Sequence, residues 1–229
     1  MATYSAIRTK IKNIVQDSRY TGIINALINQ GQLEIAGGMK SALGTWLTPP
    51  LPELLVIGTI DTATDAAYVS MPSNFQRNLQ FVVAENGNEI NIEHSFNDFV
   101  ETYPLLDQSG TISACCEFGK NFYYQGIPTT SEEVTIHYYK EPTDMAAADS
   151  KPDGIPKHLQ IPLLLNYTVW KIFELLVAED VIHETNRQII LDQFYRKMLI
   201  HKELFFVALH DLELSIPLNI KSLNLISTV

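Results

Sequence analysis

The side chains able to do chemistry in this chain are scattered, and their spacing limits each of them. His183-Glu184 has arginine at 187, where a zinc protease needs a second histidine four residues on to complete the ligand face of its helix. His201 and His210 stand nine apart on one expected helix and cannot converge on a metal ion. Gly119-Lys120 is followed by Asn121 rather than Ser or Thr, and no glycine lies five residues earlier, so no phosphate loop is encoded. No Gly-x-Ser-x-Gly turn exposes a serine nucleophile. Cys115 and Cys116 are adjacent on an expected strand, whose alternation sends them to opposite faces, so they read as small buried apolar residues rather than a disulfide or a reactive pair. Glu132-Glu133 and Asp144 with Asp149 are the carboxylate pairs available for acid-base hydrolysis, though nothing nearby predicts a perturbed pKa. Phe122-Tyr123-Tyr124 and Tyr138-Tyr139 could stack bases or sugars, but no Lys or Arg cluster accompanies them to hold phosphates, and a core or interface role fits better. No catalytic residue, metal or cofactor is expected.

The elements that must position these residues change period twice. Ile7, Ile11, Ile14 and Val15 line one face of a helix. Ile23, Ile24, Leu27 and Ile28 begin a second, which Gly37-Gly38 should end. After a stiff connector at Pro49, Pro50 and Pro52, two-fold alternation predicts strands at 55–60, 66–71, 78–84, 89–93, 111–118, 121–125 and 133–140. Asn86-Gly87 marks a tight hairpin, and Phe96 to Tyr103 one short helix. A small, polar stretch from Ala146 to Gly154 reads as a surface linker. Helical spacing returns after Ile155-Pro156, and Leu163, Leu164, Tyr167, Trp170, Ile172, Phe173, Leu176 and Val177 are too apolar for a helix with a free face. A break around Glu179 to Glu184 precedes a long helix from about Thr185 to Leu212. The fold class is therefore α+β, a helical bundle from both terminal segments with an inserted antiparallel β domain and an extended C-terminal tail. The expected boundaries are 1–48, 53–145, 152–212 and 213–229.

Composition supports a packed, globular chain, with 46% hydrophobic residues, 10% aromatic and no run of eighteen apolar residues that would argue for a membrane span. Met1-Ala2-Thr3-Tyr4 lacks the basic-then-apolar order of a secretory signal. The net charge of −10 is unevenly placed. Residues 1–50 hold five Lys/Arg against two Asp/Glu (+3), residues 51–150 three against fifteen (−12), and residues 151–229 eight against nine (−1). An acidic middle repels nucleic acid rather than gripping it, and it serves either as a solubilising surface or as a wall that DNA slides past.

Four short patterns then fall in a telling order: Met71-Pro72-Ser73-Asn74-Phe75-Gln76-Arg77, Tyr124-Gln125-Gly126-Ile127-Pro128, Tyr138-Tyr139-Lys140-Glu141-Pro142 and Ile155-Pro156-Lys157-His158-Leu159. Together with the helical N-terminus they resemble the head-to-tail adaptor proteins of tailed bacteriophages across most of residues 3–205, with Met71 and Asn74 in place of the usual Leu and Asp. The resemblance implies a virion structural protein, made in the host cytoplasm. It would form a homo-oligomeric ring docked under a dodecameric portal protein, extend the DNA channel, and offer a platform for tail tube or nozzle proteins. Double-stranded DNA would be a non-adhering passenger, and no membrane is implied. The competing readings are a hydrolase using acids of the β region and a carbohydrate-binding module on the aromatic strands. The tail carries Leu214, Ile216, Leu218, Ile220, Leu223, Leu225 and Ile226 and must be covered, either by its own subunit or as an arm that binds a partner.

Overall fold

The structure is a computed structural model that describes residues 2–16, 18–40, 46–178 and 187–216. It divides into two compact units. Among the described residues, one holds 2–52 and 142–216, and the other holds Glu53–Glu141.

In the first unit, α1 (Tyr4–Val15) starts where the Thr3 hydroxyl accepts a hydrogen bond from the Ala6 amide at 3.3 Å, and it buries Tyr4, Ile7, Ile11 and Val15. Ile14 is only half-buried. α2 (Ile24–Ala36) buries Ile24, Ile28, Ile35 and Ala36. It comes so close to α4 (Gln160–Ala178) that a Cβ on Gly31 would lie 2.5 Å from the Tyr167 ring. Of the two glycines after α2, only Gly38 is left-handed, with φ 77°. It lets β1 (Met39–Lys40) turn to pair antiparallel with β2 (Trp46–Thr48). α4 packs on α1, on α2 and on α5 (Arg187–Ser215). That burial accounts for its two-sided apolarity. α4 is long and apolar enough by length and composition to cross a membrane, yet 56% of its most apolar window is buried in the protein.

Two boundaries differ from expectation. Ile155-Pro156 does not open α4 but a turn, in which the Leu159 amide donates to Pro156 O at 2.9 Å. The helix begins at Gln160, with Pro162 in the first turn, where a missing N–H leaves no bond unmade. The surface stretch before it is held by hydrogen bonds. Gln32 donates from Nε2 to Thr143 O (2.8 Å) and accepts from the Asp153 amide, the Met145 amide donates to Asn29 Oδ1, and the Tyr4 amide donates to Ser150 O. Finally, α5 runs to Ser215, so Leu214 is helical and Ile216 is buried, and the extended segment expected from Leu214 cannot begin there. Leu218, Ile220, Leu223, Leu225 and Ile226 lie outside the described residues, as does the break expected at Glu179 to Glu184.

The second unit has β3 (Leu55–Asp61), β4 (Tyr68–Ser70), β5 (Phe75–Ala84), β6 (Asn91–Glu93), α3 (Phe96–Thr102), β7 (Ala114–Phe118), β8 (Asn121–Tyr124) and β9 (Glu133–Lys140). They form an antiparallel sheet in the order β3-β9-β5 and a second in the order β4-β8-β7-β6. The expectation of a wholly antiparallel β domain is corrected, because β6 pairs parallel with β7. A parallel pair needs a long crossover, and α3 lies within the one between them. The turn at Asn86-Gly87 forms, with Gly87 at φ 84° and Asn86 Oδ1 accepting from the Asn88 amide. The Ala84 to Asn88 bond, the Val83–Glu89 bridge and the Ile90 to Val82 bond follow it before the chain leaves for the other sheet. Phe75, Leu79, Val82, Phe122, Val134 and Ile136 anchor the core of this unit.

Candidate interaction surfaces

Nothing among the described residues assembles a reacting centre. No group of three or more His, Cys, Asp and Glu is placed to hold a metal ion. Cys115 faces the main core, and Cys116 faces a smaller cluster with Phe99 and Ala114. Burial pushes the Cys115 thiol far up and Cys116 to about 11, so both stay protonated and poorly nucleophilic near neutral pH. The candidate carboxylates fall in different units, Glu132 and Glu133 just before and at the start of β9 in the second and Asp144 and Asp149 in the first. His201 lies on the α4 side of α5, its Nδ1 donating to Asn166 Oδ1 at 2.8 Å, whereas His210 pairs with Glu213 at 3.4 Å. Glu117 on β7 is the perturbed acid that spacing did not reveal. Burial raises its pKa, while the Leu79 and Asn78 amides and Arg77 pull the other way. Its Oε2 accepts from the Leu79 amide at 3.4 Å, beside Asn78 at φ 60°, so it clamps the irregular stretch of β5 to the second sheet. That role is structural.

Two of the four short sequence patterns, 71–77 and 138–142, turn out to be one knot rather than separate signals. Met71 is buried, the Phe75 amide donates to Pro72 O, and Asn74 receives both the Tyr138 hydroxyl (2.7 Å, on Oδ1) and the Glu141 amide (2.6 Å, on its carbonyl). The Phe75 and Tyr138 rings meet at 5.5 Å. Asn74 thus carries the polar half of this joint. Gly126 is required because its φ is 87° and a Cβ there would sit 3.0 Å from Thr111 O.

What the chain does present is surface suited to protein contact. α5 buries Phe205, Ala208, Leu209 and Leu212 on one side. On the opposite side, Ile200, Leu204, Val207 (61% exposed) and Leu214 (66%) follow at helical spacing. A free apolar stripe of this kind marks an interaction surface. In the second unit, Phe122, Tyr124, Tyr138 and Tyr139 prove to be core. Only Tyr123 of the expected platform reaches the surface, joined there by three rings that alternation alone did not single out. Tyr68 lies 5.4 Å from Tyr123, Tyr123 4.9 Å from Phe96, and Phe96 stacks on Phe118 at 4.4 Å. An open groove of about 340 Å³ adjoins this row, lined in part by Asp65, Tyr68, Leu106, Asp107, Tyr123 and Ile127. The third surface is β3, an edge strand with Leu55 and Ile57 exposed on the face it shares with Phe81.

A comparison with curated proteins finds no match. A family model described as "SU10 adaptor protein" matches residues 2–203, covering both units and ending within α5 at Glu203. The chain belongs to the SU10 adaptor protein family, phage head-to-tail adaptors whose role is structural and whose place is in the virion.

Proposed function

We propose that copies of this chain form a dodecameric ring docked under the portal, extending the DNA channel and receiving tail tube or nozzle proteins on the other side. In this reading the first unit is a helical bundle drawn from both terminal segments and the second is a β insertion. The observation that carries it is the two-sided apolarity of α5, which buries one stripe within its unit and leaves the opposite stripe free. A closed ring with head-to-tail contacts needs such a second surface on every subunit, and an enzyme does not. The acids of residues 51–150 supply the channel wall, so that double-stranded DNA passes without adhering. Residues beyond Ile216 serve as an arm toward a partner. Co-purification with the portal and tail proteins of its own phage, read by native mass and electron microscopy, tests the assignment. A ring on the portal is expected, and a lone monomer in every mixture contradicts it. The aromatic row of exposed Tyr68 and Phe118 with half-buried Tyr123 and Phe96 favours a second reading, a sugar-binding surface, which the same ring result would leave without support as the main role.

A further inference from the structure

The ring reading leaves open what the arm grips, and the edges of the two sheets differ in a way that selects one strand. β5, at the far side of its sheet, is guarded. Its register with β9 is interrupted twice, Asn78 is left-handed, and its outer side carries the Glu89–Ile90 return and the Glu117 clamp. β4 and β6, the edges of the other sheet, are three residues each. β3 has none of these protections. Seven residues, Leu55 to Asp61, pair with β9 in unbroken register, without proline, lysine or arginine, and the opposite edge pairs with no described strand. On the face beside it, Ile57 (68% exposed), Leu55 and Phe81 remain uncovered. Long regular edges of this kind recruit another strand, the backbone supplying affinity and alternate side chains specificity.

The sequence contains a matching occupant. After Ile216, which is buried in the first unit, residues 217–229 carry Leu218, Ile220, Leu223, Leu225 and Ile226, with Lys221 as the one charged side chain and no proline beyond Pro217. This stretch reaches about 40 Å when extended, against about 23 Å for a seven-residue strand. It also lies beyond the part of the chain that the family model matches. We propose that residues 218–226 of one copy add a strand to the free edge of β3 in the neighbouring copy, with Leu218 and Ile220, two apart and so on one face of that strand, flanking Ile57 and Leu55. The proposal rests on the ring reading, because the donor and the acceptor belong to different subunits.

Disulfide trapping tests it. Ile57→Cys is combined in turn with Leu218→Cys, Asn219→Cys, Ile220→Cys and Lys221→Cys in the full chain, assembled on its portal and oxidised. Ile57 is exposed and the native thiols are buried and protonated, so neither disturbs the readout. Directly opposed residues on paired strands bring Cβ atoms to about 4.5–5.5 Å, close enough to bridge. The expected result is a ladder of covalent dimers and higher oligomers whose yield alternates along the four donor positions, with no ladder from any single cysteine. A ring that assembles yet gives no ladder, one without alternation, or only bonds within one chain overturns the pairing and leaves the ring standing. Failure of every variant and of the unmodified chain to assemble overturns the ring, and this pairing with it.

Discussion

At the scale of single residues, the aromatic side chains show where sequence reasoning reached its limit. Alternation placed Phe122, Tyr123 and Tyr124 on successive faces, but which face meets a core depends on sheets formed by distant segments. The row around Tyr123 consequently includes exposed Tyr68 and Phe118 and half-buried Phe96, from three separate stretches. Trp170 was legible, since its neighbours in sequence already required burial on two sides. It is 8% exposed, packs on Tyr167 and Phe205, and has the Lys171 and Lys202 ammonium groups 4.3 and 5.3 Å from its ring centroid. Trp170→Ala should lower stability by about 3–5 kcal/mol in denaturant titration, as large core truncations do. The indole N–H is buried with no hydrogen-bond partner among the described residues, so Trp170→Phe, which keeps a ring in the site, should cost less than Trp170→Ala. Equal losses would mean that the N–H carries the effect. His201 gives a pH signature. Burial, with Lys197 beside it, lowers its pKa in the folded state. Its neutral ring donates to Asn166, which in turn donates to Pro162 O at 2.7 Å. A histidine with a depressed folded pKa contributes fully above its unfolded value of about 6.5, and its contribution is lost as pH falls below that through the folded value. Melting temperatures across this window should therefore fall more steeply for the natural protein than for His201→Gln. Parallel curves would remove His201 from the account.

At the scale of elements, local pattern located most helices and strands because each has a strong period of its own. Its failures share one cause, the dependence on partners remote in sequence. The parallel pairing of β6 with β7 cannot be seen in Asn91-Ile92-Glu93, whose composition suits either orientation. The start of α4 was misplaced because Pro156 is as acceptable in a turn as in a first helical turn, and the bonds that decide it come from the turn itself. α5 extends past Leu212 because Leu212 and Ile216 are both buried, continuing the stripe of Phe205 and Leu209. Its outward stripe supplies the prediction at this scale. Val207→Asp changes an exposed position, so stability should move by no more than about 0.5 kcal/mol. Attachment to the portal or to neighbouring copies should nevertheless be lost. A variant that assembles as well as the natural chain would show that this stripe faces solvent in the particle.

At the scale of the whole molecule, two units with separate cores, the absence of an assembled reacting centre among the described residues, and several uncovered apolar surfaces describe a part built to be joined to others. The adaptor family was legible in the sequence because its patterns mark a structural joint. Met71 to Phe75 and Tyr138 to Glu141, far apart in the chain, close on one another through Asn74 and the Phe75–Tyr138 contact. The partner surfaces were less legible, because an exposed leucine on α5 and a buried one have the same spacing rules and differ only in what packs against them. The most direct test of the central claim is an electron microscopy reconstruction of the purified chain mixed with the portal protein of its own phage. The account predicts a ring of twelve copies seated on the portal, its axis open and the free stripe of α5 covered by a neighbouring copy or by the portal. A monomer that leaves the portal bare, or a ring in which that stripe stays exposed, would contradict it.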